Sequence, residues 1–128
     1  MKKIVLVLFV LTTLSGFSQK KKKILIESKS QVIEAATKEL DFAMQAPEGE
    51  IYLFAQEYQI EGEYTFDISI HEKGKTASVF CDSREGGSIA MQNKLKDFIK
   101  EFQYYFKMPK GKKYKFTYTF KFNGIGTN

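Results

Sequence analysis

The chain has one histidine and one cysteine, so the thiol–imidazole pair to consider is His71 with Cys81. The residues around them decide whether the two can meet. Tyr64, Phe66, Ile68 and Ile70 alternate with polar residues, as do Ala77, Val79 and Cys81. That period of two predicts two strands, each with one buried face. Glu72-Lys73-Gly74-Lys75 between them reads as a hairpin loop. Pairing His71 with Thr76 sets Ile70 opposite Ala77, Ile68 opposite Val79 and Phe66 opposite Cys81. Cys81 then lies on the apolar face and His71 on the other. Cys81 is expected to be a small buried hydrophobe beside Phe66, inert to thiol reagents. His71 is expected to be an exposed turn residue. A single cysteine excludes an intramolecular disulfide and a cysteine-based metal cluster, and a single histidine excludes a multi-histidine site.

Two other groups of residues could carry chemistry. Asp82-Ser83-Arg84-Glu85-Gly86-Gly87-Ser88 is polar, precedes a helix pattern and contains two adjacent glycines. Backbone N–H groups there could hold an anion, but the spacing is not that of a phosphate loop. A strand-to-helix connection uses the same residue types. Glu48, Glu50, Glu57, Glu61 and Glu63 could supply a carboxylate pair, yet they are spread over several elements without a second motif. No catalytic residue, cofactor or metal ligand is assigned. The expectation is a protein that is not an enzyme, with a small envelope enzyme built on the acidic residues or the Asp82–Ser88 loop as one alternative. A structural envelope protein is another.

Composition sets the wider bounds. The 128 residues are 43% hydrophobic and 27% charged, which describes one globular domain rather than a disordered chain. Met1-Lys2-Lys3, the apolar run Ile4 to Leu11, and small residues at Ser15, Gly16 and Ser18 form the pattern of a secretory signal peptide. Cleavage before Gln19 is expected, giving a periplasmic or secreted protein. The run is shorter than the roughly 20 apolar residues of a spanning helix, so membrane association is expected only if the signal stays uncleaved. Residues 19–23 form a basic tail, 24–123 a single domain and 124–128 a flexible polar tail.

The net charge of +5 belongs to the ends. From Ile24 onward there are 14 basic and 15 acidic groups, net −1. A nearly neutral domain argues against a nucleic-acid partner. Charge is nevertheless segregated: residues 27–72 carry two basic against eleven acidic groups, and 73–128 twelve against four. The halves either pair across a sheet or form a dipolar surface that orients a charged partner.

The remaining elements follow from pattern. Ile24-Leu25-Ile26 reads as a short strand. Ser28-x-x-Gln31 is a capping box, and Ile33, Ala36, Leu40, Ala43 and Met44 recur at helical spacing until Pro47-Glu48-Gly49. Ile51 to Tyr58, rich in strand formers, reads as a strand. Ser88 caps a second helix whose stripe is Met91, Leu95, Phe98, Phe102 and Tyr105, ending near Met108-Pro109-Lys110-Gly111. Tyr114, Phe116, Tyr118, Phe120 and Phe122 alternate with Lys115, Thr117, Thr119 and Lys121 as a last strand. The fold class is α+β: a small antiparallel or mixed sheet, spatial order 76–82, 63–71, 114–122, with two helices on one face. The position of 51–58 in that sheet is open.

From Gly62 to Phe122 the pattern resembles the C-terminal domain of TonB-type energy transducers. The matching residues are Gly62-x-Tyr64-x-Phe66-x-Ile68-x-Ile70, Glu72-Lys73-Gly74-Lys75, Val79, Met108-Pro109-Lys110-Gly111-Lys112 and Phe116-x-Tyr118-x-Phe120-x-Phe122. The resemblance implies a domain whose edge strand takes up an extended segment of an outer-membrane receptor by strand addition. The family's Tyr-Pro pair and Pro-rich linker are missing. The implied role is an exported interaction module, not itself an energy transducer, with an outer-membrane or other envelope protein as partner. The residues implied to bind are Lys115, Thr117, Thr119 and Lys121.

Overall fold

The computed structural model describes residues 23–122. The expected signal peptide, most of the basic tail and the C-terminal tail lie outside these residues. The order is β1 (Ile24–Leu25), α1 (Lys29–Ala43), α2 (Glu50–Tyr58), β2 (Glu63–His71), β3 (Thr76–Glu85), α3 (Ile89–Lys100), β4 (Phe106–Lys107) and β5 (Lys113–Lys121). The fold is α+β, with three helices, a three-stranded antiparallel sheet and a short parallel pair, β1 with β4.

The sheet has β2 at its centre and the order β3-β2-β5, the expected order. Tyr64, Phe66, Ile68 and Ile70 are all fully buried on one face of β2. Phe116, Phe120 and Phe122 extend that layer along β5. Each such side chain contributes about 1.5–3 kcal/mol on leaving water. The helices cover this face: α1 packs on β5 and α3 on β3. The opposite face carries Thr65, Asp67, Thr117 and Thr119.

Local signals hold at both helix starts. Ser28 Oγ accepts from Gln31 N at 3.4 Å, and Ser88 Oγ accepts from Met91 N at 3.1 Å. Gly74 turns the hairpin with φ +79°. The buried stripe of α1 is Val32, Ala36, Leu40 and Ala43, with Ile33 and Met44 only partly covered.

Four expectations are corrected. Residues 51–58 are helix, not strand, so there are three helices rather than two. Ile51 and Ala55 are buried four residues apart, and Phe54 stacks on Phe98 of α3 with centroids 4.2 Å apart. The second predicted helix stops at Lys100. Beyond it Phe102, Tyr104, Phe106 and Met108 are buried at alternate positions, the mark of extended chain. Thr76 Oγ1 donates to Phe102 O at 2.9 Å and Tyr104 N donates to Gly74 O at 2.8 Å, which draws this segment out along the hairpin. In the hairpin, Ile68–Val79 and Phe66–Cys81 pair as expected, but Ile70 faces Thr76. Ala77 and Asp82 are the extra residues of two bulges. Finally β3 runs on to Glu85, so Asp82–Glu85 belong to a strand and not to a loop.

Candidate binding edge

The four residues implied to bind lie on β5, at one edge of the sheet. Phe122 N donates to Gly62 O at 2.9 Å, and the β2–β5 register is unbroken from Glu63–Lys121 to His71–Lys113. Backbone direction alternates along a strand. The N–H and C=O groups of residues 114, 116, 118 and 120 therefore point to β2. Those of Lys115, Thr117, Thr119 and Lys121 point outward from the sheet. Among the described residues no strand pairs with that row.

The side chains of the same residues stand on the open face. Thr117 Oγ1 donates to Asp67 Oδ1 at 2.8 Å. The hydroxyls of Thr119 and Thr65 bond at 2.9 Å. Lys115 and Lys121 are exposed. A shallow hollow of about 450 Å³ lies beside Thr119 and Lys121, bounded across the sheet by Glu63, Ser83 and Glu85. On the buried side, Tyr118 Oη donates to Asp41 Oδ1 at 2.5 Å, which ties α1 to β5. Burial and the Asp41 carboxylate both raise the Tyr118 phenol above its ordinary pKa. Sequence reasoning missed this brace, because Asp41 reads there as one more polar residue of a helix.

The other candidates do not assemble into a reactive site. Cys81 lies on the apolar side of β3 but is only partly buried, because it sits at a bulge near the sheet's rim; its Sγ is 3.4 Å from Ser83 O. His71 Nδ1 accepts from Lys73 N at 3.2 Å, on the opposite face from Cys81. Among the described residues no group of three His, Cys, Asp or Glu side chains could hold a metal ion. Gly86 and Gly87 both have positive φ. A Cβ on Gly87 would run into Tyr64 Oη, so the glycine is there to admit that ring. Tyr64 Oη donates to Glu61 O at 2.5 Å, and Ser88 N–H bonds to the same hydroxyl. With the Ser88 side chain capping Met91 N, the start of α3 is engaged by the protein's own groups.

Of the five acidic residues, Glu48 and Glu50 line a hollow of about 610 Å³ with Glu39, Phe42 and Tyr105. Glu57, Glu61 and Glu63 lie elsewhere. Both oxygens of Glu39 face Tyr105 N, at 3.0 and 3.1 Å. Desolvation raises the Glu39 carboxyl, against the opposing effects of that bond and of Lys23.

Among the described residues no helix is long and apolar enough to cross a membrane. Comparisons with protein-family models, with curated proteins and with solved structures find no match.

Proposed function

We propose that the protein is an exported, non-enzymatic binding module that takes up an extended segment of an envelope protein by strand addition along β5. The observation that carries this is the outward row of backbone groups at Lys115, Thr117, Thr119 and Lys121, on a regular edge with no strand beside it among the described residues. Strand addition draws affinity from such a row and specificity from alternate side chains. The resemblance to the TonB C-terminal domain supports the same edge. In this reading the protein works in the periplasm or outside the cell and does not transmit energy itself.

The decisive variant is Thr119→Pro. It removes one outward N–H and the Thr119–Thr65 hydroxyl bond, and leaves every inward backbone bond to β2 in place. Envelope proteins that copurify with the wild type should be lost by this variant, while its circular dichroism and cooperative melt are retained. A folded Thr119→Pro protein that keeps its partner at wild-type yield would refute the edge reading.

A further inference from the structure

We infer that the hairpin end of the sheet is a docking surface for an anionic phospholipid bilayer. Three stretches of chain meet there. Lys23 Nζ donates to Lys73 O at 2.8 Å, joining the start of β1 to the hairpin. Met108 N donates to Glu72 O at 2.8 Å, and Gly111 N donates to Glu72 Oε1 at 2.7 Å, joining the β4–β5 connection to the same hairpin. These bonds gather Lys23, Lys73, Lys75, Lys107, Lys110, Lys112 and Lys113 at one end of the molecule. All but Lys23 are exposed.

The ion pair recorded among the described residues is Lys38–Glu34 on α1, and none of these lysines joins it. Two acids lie close by, Glu72 accepting from Gly111 N and Glu39 from Tyr105 N with Lys23 near it, so the seven lysines outnumber them. Glu63 faces Lys121 across the sheet, whereas Lys113 faces His71 and Lys107 faces Leu25, so at the hairpin end the segregated charge stays on the surface. Since residues 24–128 sum to −1, any attraction to an anion comes from this end rather than from net charge.

Two features favour a bilayer over a nucleic acid. The basic groups are all lysine; the one arginine, Arg84, is at the opposite end of β3. Compact ammonium groups suit a diffuse headgroup layer, whereas phosphate-by-phosphate recognition favours the arginine fork. The lysines also flank exposed apolar residues. Ile24 is 70% exposed, Leu25 48% and Tyr105 74%. Aliphatic side chains beside lysines, with a tyrosine at hand, match the boundary between headgroups and acyl chains. This surface does not rest on the strand-addition reading, and it requires no uncleaved leader.

The test is sedimentation of the full chain with two kinds of vesicle: phosphatidylcholine alone, and phosphatidylcholine with phosphatidylglycerol in roughly equal parts. The neutral vesicles measure whatever the apolar run Ile4–Leu11 contributes. Binding should be tighter to the anionic vesicles and should disappear in about 1 M salt, where screening acts within about 3 Å. Each lysine removed from the patch should weaken binding about fivefold. Lys110→Gln with Lys112→Gln should therefore lose about 25-fold by the same rule. Arg84→Gln with Lys121→Gln removes the same charge elsewhere and should lose less than about twofold by comparison. Leu25→Gln should weaken binding to anionic vesicles at low salt. Equal binding to both vesicle types, equal losses in the two double variants, or tighter binding to a short DNA duplex than to the anionic vesicles would each overturn the inference.

Discussion

The two edges of the sheet are built on opposite plans. β5 matches β2 residue for residue over nine positions, with no slip. β3 needs ten residues to run along the same partner and bulges at Ala77 and Asp82. Bulges twist an edge and interrupt its backbone row, one of the ways a sheet avoids unwanted pairing. The inner faces differ too. β5 sets Phe116 and Phe120 into the core, while β3 buries Val79 and leaves Cys81 half covered. A regular edge is thus the one backed by aromatic packing and by the Tyr118–Asp41 brace. Lysines at 115 and 121 guard it without distorting it, which makes it unattractive to a second copy of itself.

The contrast can be broken most sharply with proline. Tyr118→Pro removes an inward N–H from the ladder and should abolish the cooperative melt. Tyr118→Ala, which keeps that N–H, should remain folded, and Thr119→Pro should too. A folded Tyr118→Pro beside an unfolded Thr119→Pro would mean that the assigned backbone directions are wrong.

Next in size is the difference between the inner faces. Phe120→Ala should cost about 3–5 kcal/mol in urea denaturation. Cys81→Ala on β3 should cost less than about 1 kcal/mol. Similar losses at the two sites would remove the asymmetry.

The brace predicts an alkaline weakness on the β5 side. The Tyr118 phenol is raised in the folded state from an ordinary value of 10.0. A group raised in this way contributes fully below its unfolded value and loses that contribution as pH rises past it. Stability should therefore fall above about pH 10. Tyr64 and Tyr104 are raised as well, chiefly by burial, and add to the fall. Tyr118→Phe should flatten the slope without removing it. An unchanged slope in thermal melts across that range would show that the brace does not couple to folding.

The smallest effects should come from the guards. Lys115→Ser and Lys121→Ser should each change stability by no more than about 0.5 kcal/mol. They should raise self-association at high concentration, read by analytical ultracentrifugation. The same change at Lys94 should not.

What could be read from the letters was the alternation. β2 and β5 each have one polar and one apolar face, and a period of two allows no other regular element. The centre of the hairpin followed for the same reason. The bulges did not, because Ala77 and Asp82 carry no local mark that excludes them from pairing. Residues 51–58 were ambiguous in kind: Ile, Tyr, Leu and Phe favour strands, and nine residues are few for a helical period to show. Their helix is settled by tertiary contacts, Phe54 on Phe98 and Ile51 and Ala55 in the core. The end of α3 failed differently. Phe98, Phe102 and Tyr105 fit helical spacing, while Phe102, Tyr104, Phe106 and Met108 fit a strand. Bonds to Thr76 and Gly74 choose the second reading, and they come from about 30 residues away in the chain. Of the candidate site, the side chains of 115–121 were legible, but their edge position depended on the whole topology.

The placement of the two ends has a mechanical consequence. Lys23 is fastened beside the hairpin, and Phe122 leaves the sheet at the far end, beside Gly62. Tension applied between these points runs along the axis of β5. It loads the β2–β5 hydrogen bonds in shear, all at once, rather than peeling them apart one by one. A strand added to the outer edge would share the same direction of load. A molecule held at its lysine-rich end and pulled through β5 would resist with the whole ladder, whereas traction across the sheet would open it like a zip.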